Sequence, residues 1–261
     1  MTGEVRLDIE GAIATVTFSN LAKLNALTLQ MRRALVSMVN KVHDDPAVRV
    51  VVLTGDGDEA FVAGADLSEL AGHATPAEVL SEATQLDVEL TAAWNRLAKP
   101  VVAMIQGYCI GAGLLLALDA DFRIAADGSQ FAIPAARLGL GLGPAYIEGL
   151  AATVGSSWAA EMLFSARRLS AAEALRIGLV NHVVPPEDLR PFTMALAADI
   201  ARNAPLTIAV SKAAIRQLRL EPAQRDHARV EAMADACLRS ADLIEGRTAF
   251  KEKRPPRFTG R

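Results

Sequence analysis

The chain has 261 residues, of which 51% are hydrophobic, with a formal net charge of −3 and two cysteines. This length is enough for one large domain with a full core, and no uncharged apolar run approaches the roughly 18 residues that a membrane span requires. The mild acidity disfavours nucleic acid as a partner, and two cysteines far apart in a chain without a signal peptide favour a cytoplasmic protein.

The first half of the chain predicts strands that alternate with helices. Two strands are expected to form a hairpin that turns at Glu10-Gly11, and a helix is expected after Thr28 that ends before Asp44. The further predicted strands cover 48–53, 61–62, 101–106, 121–124 and 130–133, and the further predicted helices cover 76–98 and 112–119. Asp66 to Glu69 has the character of a capping box. Strands that alternate with helices favour a layered α/β fold.

Two loops can offer backbone N–H groups to a ligand. The segment Gly107–Gly113 follows a buried strand and leads into an apolar helix, so the N–H groups near Ala112 are free of helical partners. The segment Phe61–Asp66 is a second loop of this kind. Two loops that each offer a backbone donor predict an oxyanion hole. One turn after Ala112 stands Leu115, where an acid–base enzyme would carry a carboxylate.

The second half of the chain predicts mostly helices. They cover 157–165, 170–177, 188–203, 205–219 and 222–239. Asn203-Ala-Pro205 interrupts this helical region and predicts a division into a core of residues 1–203 and a helical region of residues 204–261. Helices with several apolar faces need a surface to cover, either the core or a neighbouring subunit.

Other chemistries have weak support in the sequence. The spacing of Gly107, Gly111 and Gly113 is a poor match to a dinucleotide-binding loop. There is no G-x-S-x-G nucleophile elbow, and no HExxH motif or Cys/His cluster indicates a metal site. We therefore expect neither a metal nor a cofactor.

Several motifs together resemble the enoyl-CoA hydratase/isomerase (crotonase) superfamily. They are Leu21–Leu27, Ala60–Leu70, Lys99–Gly113, Asp121–Ala125, Leu169–Asn181 and Glu252–Phe258. The resemblance covers nearly the whole chain and implies a spiral of β-β-α repeats with a C-terminal helical trimerisation region. It also implies a homotrimer or a dimer of trimers, and an acyl-CoA thioester as ligand, with coenzyme A entering as part of the substrate.

The resemblance also assigns the site residues. The N–H groups of Ala65 and Ala112 would hold the thioester oxygen and stabilise an enolate. The substrate-binding positions would be Lys23, Leu24, Ala26, Ala63, Asp66, Leu67 and Gly111. For Asp66, capping of a helix is favoured over a chemical role.

The chain departs from the family at the two positions where ordinary hydratases carry glutamates. These positions hold Leu115 and Ala135, so hydratase activity is expected to be weak or absent. Two hypotheses follow: an enzyme of the hydratase/isomerase type with an unidentified proton donor, or a non-catalytic acyl-CoA carrier or scaffold. As substitute acids, Glu148 and Tyr146 are weak candidates, and Asp119, two turns beyond Ala112, is expected to lie too deep for a substrate.

Overall fold

A six-stranded sheet forms one layer of the protein. The computed structural model describes residues 3–71 and 76–261, with the backbone only for residues 70, 71 and 76–80. The strands of this sheet are β1 (Glu4–Glu10), β2 (Ile13–Ser19), β3 (Val50–Gly55), β5 (Val101–Ile105), β7 (Phe122–Ala126) and β10 (His182–Val184). They lie in the order β1-β2-β3-β5-β7-β10, and all neighbours beyond the antiparallel β1-β2 hairpin are parallel. The hairpin turns at Gly11-Ala12, because Glu10 still pairs with Ile13, one residue later than predicted.

A smaller sheet faces the first and positions the site. Its strands are β4 (Ala60–Val62), β6 (Tyr108–Ile110), β8 (Gln130–Ala132) and β9 (Leu169–Ser170), in that order. The first three are mutually parallel, and β9 is antiparallel to β8. Strand β6 was not predicted, because three residues between two glycines carry no periodicity.

Helices surround the two sheets. Their bounds are α1 (Leu29–Asp44), α2 (Ser68–Ala71), α3 (Pro76–Arg96), α4 (Ala112–Asp119), α5 (Pro144–Val154), α6 (Ser156–Ser165), α7 (Ala171–Arg176), α8 (Pro186–Ala201), α9 (Pro205–Gln217), α10 (His227–Leu238) and α11 (Ala241–Glu252). Thr28 caps α1 as predicted, since its hydroxyl accepts the N–H of Met31. Helices α5 and α11 were not predicted. The predicted helix 222–239 begins only at His227, after a 3₁₀ turn.

Alternate residues of the large sheet enter two different cores. Val51 and Leu53 pack into the main core with Phe61 of the small sheet, whereas Val50 and Val52 pack on the opposite face with Leu189 of α8. Successive side chains of a strand point to opposite faces of the sheet, which produces this division. It explains why β3 reads as a continuous apolar run: both faces of the strand are buried.

Helix α9 is anchored to the core by cations. Lys212 Nζ donates to Asp121 Oδ2 at 2.7 Å and to the carbonyl of Lys99 at 2.6 Å. The guanidinium of Arg216 donates to the carbonyls of Trp94, Asn95 and Leu97 at the end of α3. These carbonyls lie at the C-terminal end of α3, which carries the negative end of the helix dipole, and that of Trp94 also accepts the N–H of Leu97. The division of the chain at residue 203 stays a prediction.

Candidate active site

The carboxyl ends of three parallel strands meet at one edge of the small sheet. Strand β4 leads into Ala63–Asp66, β6 into Gly111-Ala112, and β8 into Ile133–Ala135. Neighbouring parallel strands place the loops that follow them side by side. The fold therefore brings together the sequence-predicted positions Ala65, Ala112 and Ala135.

Glycines allow the two donor loops to lie side by side. Gly64 and Gly111 have φ angles of +119° and +54°, which L side chains rarely adopt. A Cβ atom on Gly111 would lie 3.8 Å from the Cα atom of Gly64, so the two loops are adjacent, with about the width of a methyl group between them. A Cβ atom on Gly113 would lie only 2.1 Å from the carbonyl oxygen of Val62. Helix α4 packs against β4 because this residue is glycine.

The N–H groups of Ala65 and Ala112 have no acceptor among the residues that the structure describes. The N–H of Ala63, two residues before Ala65, donates to the carbonyl of Leu24 at 3.0 Å. The N–H of Asp66, the next residue, donates to the carbonyl of Leu27 at 2.9 Å. Ala112 is the first residue of α4, where an N–H has no helical partner. The two adjacent loops thus present two backbone donors, as an oxyanion hole requires.

The segment before α1 runs alongside the first donor loop. The N–H of Leu27 donates to the carbonyl of Gly64 at 2.8 Å, so the predicted substrate-binding residues Leu24 and Ala26 lie beside Ala63 and Ala65. The buried side chain of Asn25 holds this segment in place, because its amide donates to the carbonyls of Asp56 and Ala60.

Asp66 acts as a structural anchor. Its carboxylate accepts Lys23 Nζ at 2.7 Å and both the N–H and the hydroxyl of Ser68. Although burial opposes ionisation, these hydrogen bonds hold the pKa of Asp66 below its usual value. Asp66 accepts the N–H of the first residue of α2, but Glu69 does not complete a capping box: its carboxylate accepts the N–H of Leu29 at the start of α1. Leu67 is 52% exposed.

A cavity of about 390 Å³ extends from Ala112 along α4. Leu115 is half-buried on its wall, which makes the wall apolar at this point, and Ala135 is buried close to the donor loops. Among the described residues, no group of three His, Cys, Asp or Glu side chains is placed to hold a metal ion.

The far part of the cavity is polar. Asp87 of α3 forms an ion pair with Arg32 of α1 and accepts the hydroxyl of Tyr146 at 2.6 Å. Burial and the hydrogen bond to Asp87 raise the pKa of Tyr146, which therefore keeps its proton. Asp119 also lines the cavity, and burial followed by the charge of Asp87 raises its pKa to about 7.

The expectation that Asp119 lies too deep for a substrate needs revision. Asp119 is not too deep to be reached, because it lines the same cavity as Ala112 and Leu115. Tyr146 lines this cavity as well, whereas Glu148 is exposed and does not line it. Arg32 and Asp87 could not be predicted as a pair, since 55 residues separate them and only the packing of α1 on α3 joins them.

Known proteins resemble this chain over its whole length. The family model described as enoyl-CoA hydratase/isomerase matches residues 8–261. A crotonyl-CoA hydratase from Syntrophomonas wolfei is 36% identical over 258 residues, which cover 97% of this chain and 96% of that protein. A carnitinyl-CoA dehydratase from Escherichia coli O157:H7 is 34% identical over 266 residues, with both proteins covered completely. The crystal structure of an enoyl-CoA hydratase/carnithine racemase from Magnetospirillum magneticum has a TM-score of 0.89 at 32% identity, covering 100% of this chain and 97% of that one.

Proposed function

The chain belongs to the enoyl-CoA hydratase/isomerase (crotonase) family, and from this premise we propose that it binds an acyl-CoA thioester and stabilises its enolate. The N–H groups of Ala65 and Ala112 hold the thioester oxygen. The observation that carries the proposal is the pair of backbone donors without acceptors among the described residues, on two adjacent loops. An enolate concentrates charge on this oxygen, and each fixed donor contributes about 10²–10³ in rate.

Coenzyme A lies along the segment before α1. Its path is lined by Lys23, Leu24, Ala26, Ala63, Asp66, Leu67 and Gly111. Lys23 is suited to a ligand phosphate, because Asp66 and Ser68 take two of the three donors of its ammonium group. The small residues let the backbone approach the ligand closely. Coenzyme A enters as part of the substrate, and the reaction needs no separate cofactor.

The reaction is of the hydratase/isomerase type, at Cα and Cβ of the thioester. Removal of a Cα proton leaves the electron pair as an enolate on the thioester oxygen, and return of a proton restores the thioester. Leu115 and Ala135 cannot transfer protons, and general acid–base groups contribute roughly 10²–10⁴ each. Hydration of crotonyl-CoA is therefore slow or absent, and water or an unidentified group carries the proton.

The second candidate function is a non-catalytic acyl-CoA carrier or scaffold. The apolar cavity wall at Leu115 favours it, because an alkyl chain can pack there, and the buried Ala135 adds no polar group near the donor loops. Enolate formation distinguishes the two functions, since a carrier binds the thioester and leaves its Cα protons in place.

The C-terminal helices support assembly into a homotrimer or a dimer of trimers. Their outer faces expose large apolar side chains: Ile215, Leu218, Leu238, Ile244 and Phe250, which are 60–88% exposed in the single chain. Apolar surface of this extent marks an interaction site. Light scattering should give three or six times the chain mass of 27.6 kDa, and a monomeric mass at micromolar concentration would contradict the proposal.

The test combines turnover with binding. Hydration of crotonyl-CoA is followed by the ultraviolet loss of the conjugated thioester, and calorimetry measures the binding of a saturated long-chain acyl-CoA. Binding with slow turnover supports an enzyme of weak hydratase activity, and binding without turnover or Cα exchange supports the carrier. Failure of every acyl-CoA to bind would refute both functions.

A further inference from the structure

The cavity changes in character along α4. Ala112, Leu115, Leu116 and Asp119 share one face of the helix, and all four line the cavity. Seven helical steps of about 1.5 Å separate Ala112 from Asp119, which makes about 10 Å along the helix. An extended alkyl chain built of 1.5 Å bonds advances about 1.3 Å per carbon. A thioester held at Ala112 would therefore bring carbons six to eight of its acyl chain near Asp119.

Asp119 has no hydrogen-bond partner among the described residues. Asp87, its neighbour across the cavity, has its charge matched by Arg32 and accepts the hydroxyl of Tyr146. Asp119 forms no such bond, and its environment consists of the charges of Asp87, Arg216 and Arg219. The carboxyl group is half-buried and borders the cavity, so a ligand in the cavity can reach it. A ligand group can supply the missing partner.

We propose that the acyl group of the substrate carries a hydroxyl group on its distal part, at carbons six to eight, and that Asp119 binds this hydroxyl. The proposal rests on the proposed function, because the thioester at Ala65 and Ala112 sets the distance. It names the substrate class as a medium-chain hydroxyacyl-CoA thioester. Leu115 contacts the apolar carbons between the two polar ends.

A hydroxyl group fits Asp119 better than a charged group does. The pKa of Asp119 is raised to about 7, so both protonation states occur near neutral pH. A hydroxyl both donates and accepts, and it can bond the carboxylate and the carboxylic acid alike. An ammonium group pairs well only with the carboxylate, and a ligand carboxylate only with the acid. Tyr146 and Arg32 remain engaged with Asp87 in either case.

The experiment compares ligands that differ only in the distal hydroxyl. Calorimetry measures the dissociation constants of acyl-CoA thioesters of four, six, eight and ten carbons, each with and without a terminal hydroxyl. The wild-type protein should favour the hydroxylated six- or eight-carbon ligand by about tenfold, the value of one hydrogen bond. The four-carbon pair should show no preference, because its hydroxyl stops beside Leu115.

Variants locate the preference at Asp119. Asp119→Leu should abolish it, Asp119→Asn should restore part of it, and Glu148→Leu, at an exposed position outside the cavity, should leave it unchanged. If the wild-type protein binds both members of every pair equally, the inference is wrong and the acyl-CoA site stands. If it binds none of the thioesters, the proposed function fails as well. If Asp119→Leu does not fold, the comparison of ligands on the wild-type protein is sufficient to test the inference.

Discussion

Replacing Ala112 with proline removes one proposed oxyanion donor and places the ring Cδ atom where its N–H pointed. Proline lacks the backbone N–H, and the first position of a helix tolerates it because that N–H has no helical partner. The N–H of Ala112 bonds nothing within the described chain, so no internal hydrogen bond is lost. Ala112→Ser keeps the N–H and serves as the matched control.

The two states of the ligand should respond differently to this change. The enolate should lose about 10²–10³ in rate of formation, or roughly 3–4 kcal/mol. The bound thioester should lose one neutral hydrogen bond, about 0.5–1.5 kcal/mol, and must also shift away from the proline Cδ atom, which lies where the N–H pointed. Binding should therefore weaken, and Cα chemistry measured at saturating ligand should fall more steeply still. Stabilisation of charge that develops during the reaction has this signature.

Exchange of Cα protons with deuterium reports enolate formation without requiring hydration. Octanoyl-CoA is incubated with the protein in heavy water, and mass spectrometry follows deuterium incorporation. The wild-type protein and Ala112→Ser should exchange at similar rates, and Ala112→Pro should be at least a hundredfold slower at saturating ligand. A folded Ala112→Pro protein that exchanges at the wild-type rate would refute the oxyanion hole. Absence of exchange in the wild-type protein would favour the carrier.

Three further predictions concern α4 and its surroundings. Gly113→Ala should lower the free energy of unfolding by at least about 1–3 kcal/mol, since the new methyl group meets the carbonyl of Val62. The control Gly149→Ala places its methyl group in open space on helix α5 and should be neutral or stabilising. Urea denaturation measures both variants. Leu115→Glu should raise crotonyl-CoA hydration by about 10²-fold or more by supplying an acid–base group, and an unchanged rate in a folded variant would contradict this. Asp119 should make the wild-type protein less stable as the pH rises from about 4 to 7, because its pKa of about 7 exceeds the unfolded value and the folded state binds more protons. Asp119→Asn should remove up to about 1.4 kcal/mol per pH unit from the slope of the unfolding free energy against pH. Identical slopes for the two proteins would show that Asp119 titrates normally.

Local signals in the sequence predicted much of the fold. Thr28 marked the start of α1, and the β-branched run before Gly55 marked a strand that is buried on both faces. Four strands have three residues each, too few for a periodic pattern, and two of them, β6 and β10, were not predicted. Their existence depends on pairing with neighbours distant in the chain.

The candidate site, too, could be predicted from the sequence only in part. The donor loops at Ala65 and Ala112 could be predicted, because glycines at strand ends are a local feature. The polar end of the cavity could not, because Arg32, Asp87 and Tyr146 come from three helices that only tertiary packing brings together. Side chains that meet across such distances leave no pattern in one sequence.

The carbonyl ¹³C resonance of a bound thioester tests the central claim most directly. Octanoyl-CoA labelled at the thioester carbon is bound to the wild-type protein and to Ala112→Pro at saturating protein. Two hydrogen bonds to the oxygen polarise the carbonyl, so the account predicts a downfield shift on binding that is smaller in Ala112→Pro. A ligand that binds the wild-type protein tightly and keeps the chemical shift of free octanoyl-CoA would contradict the oxyanion hole.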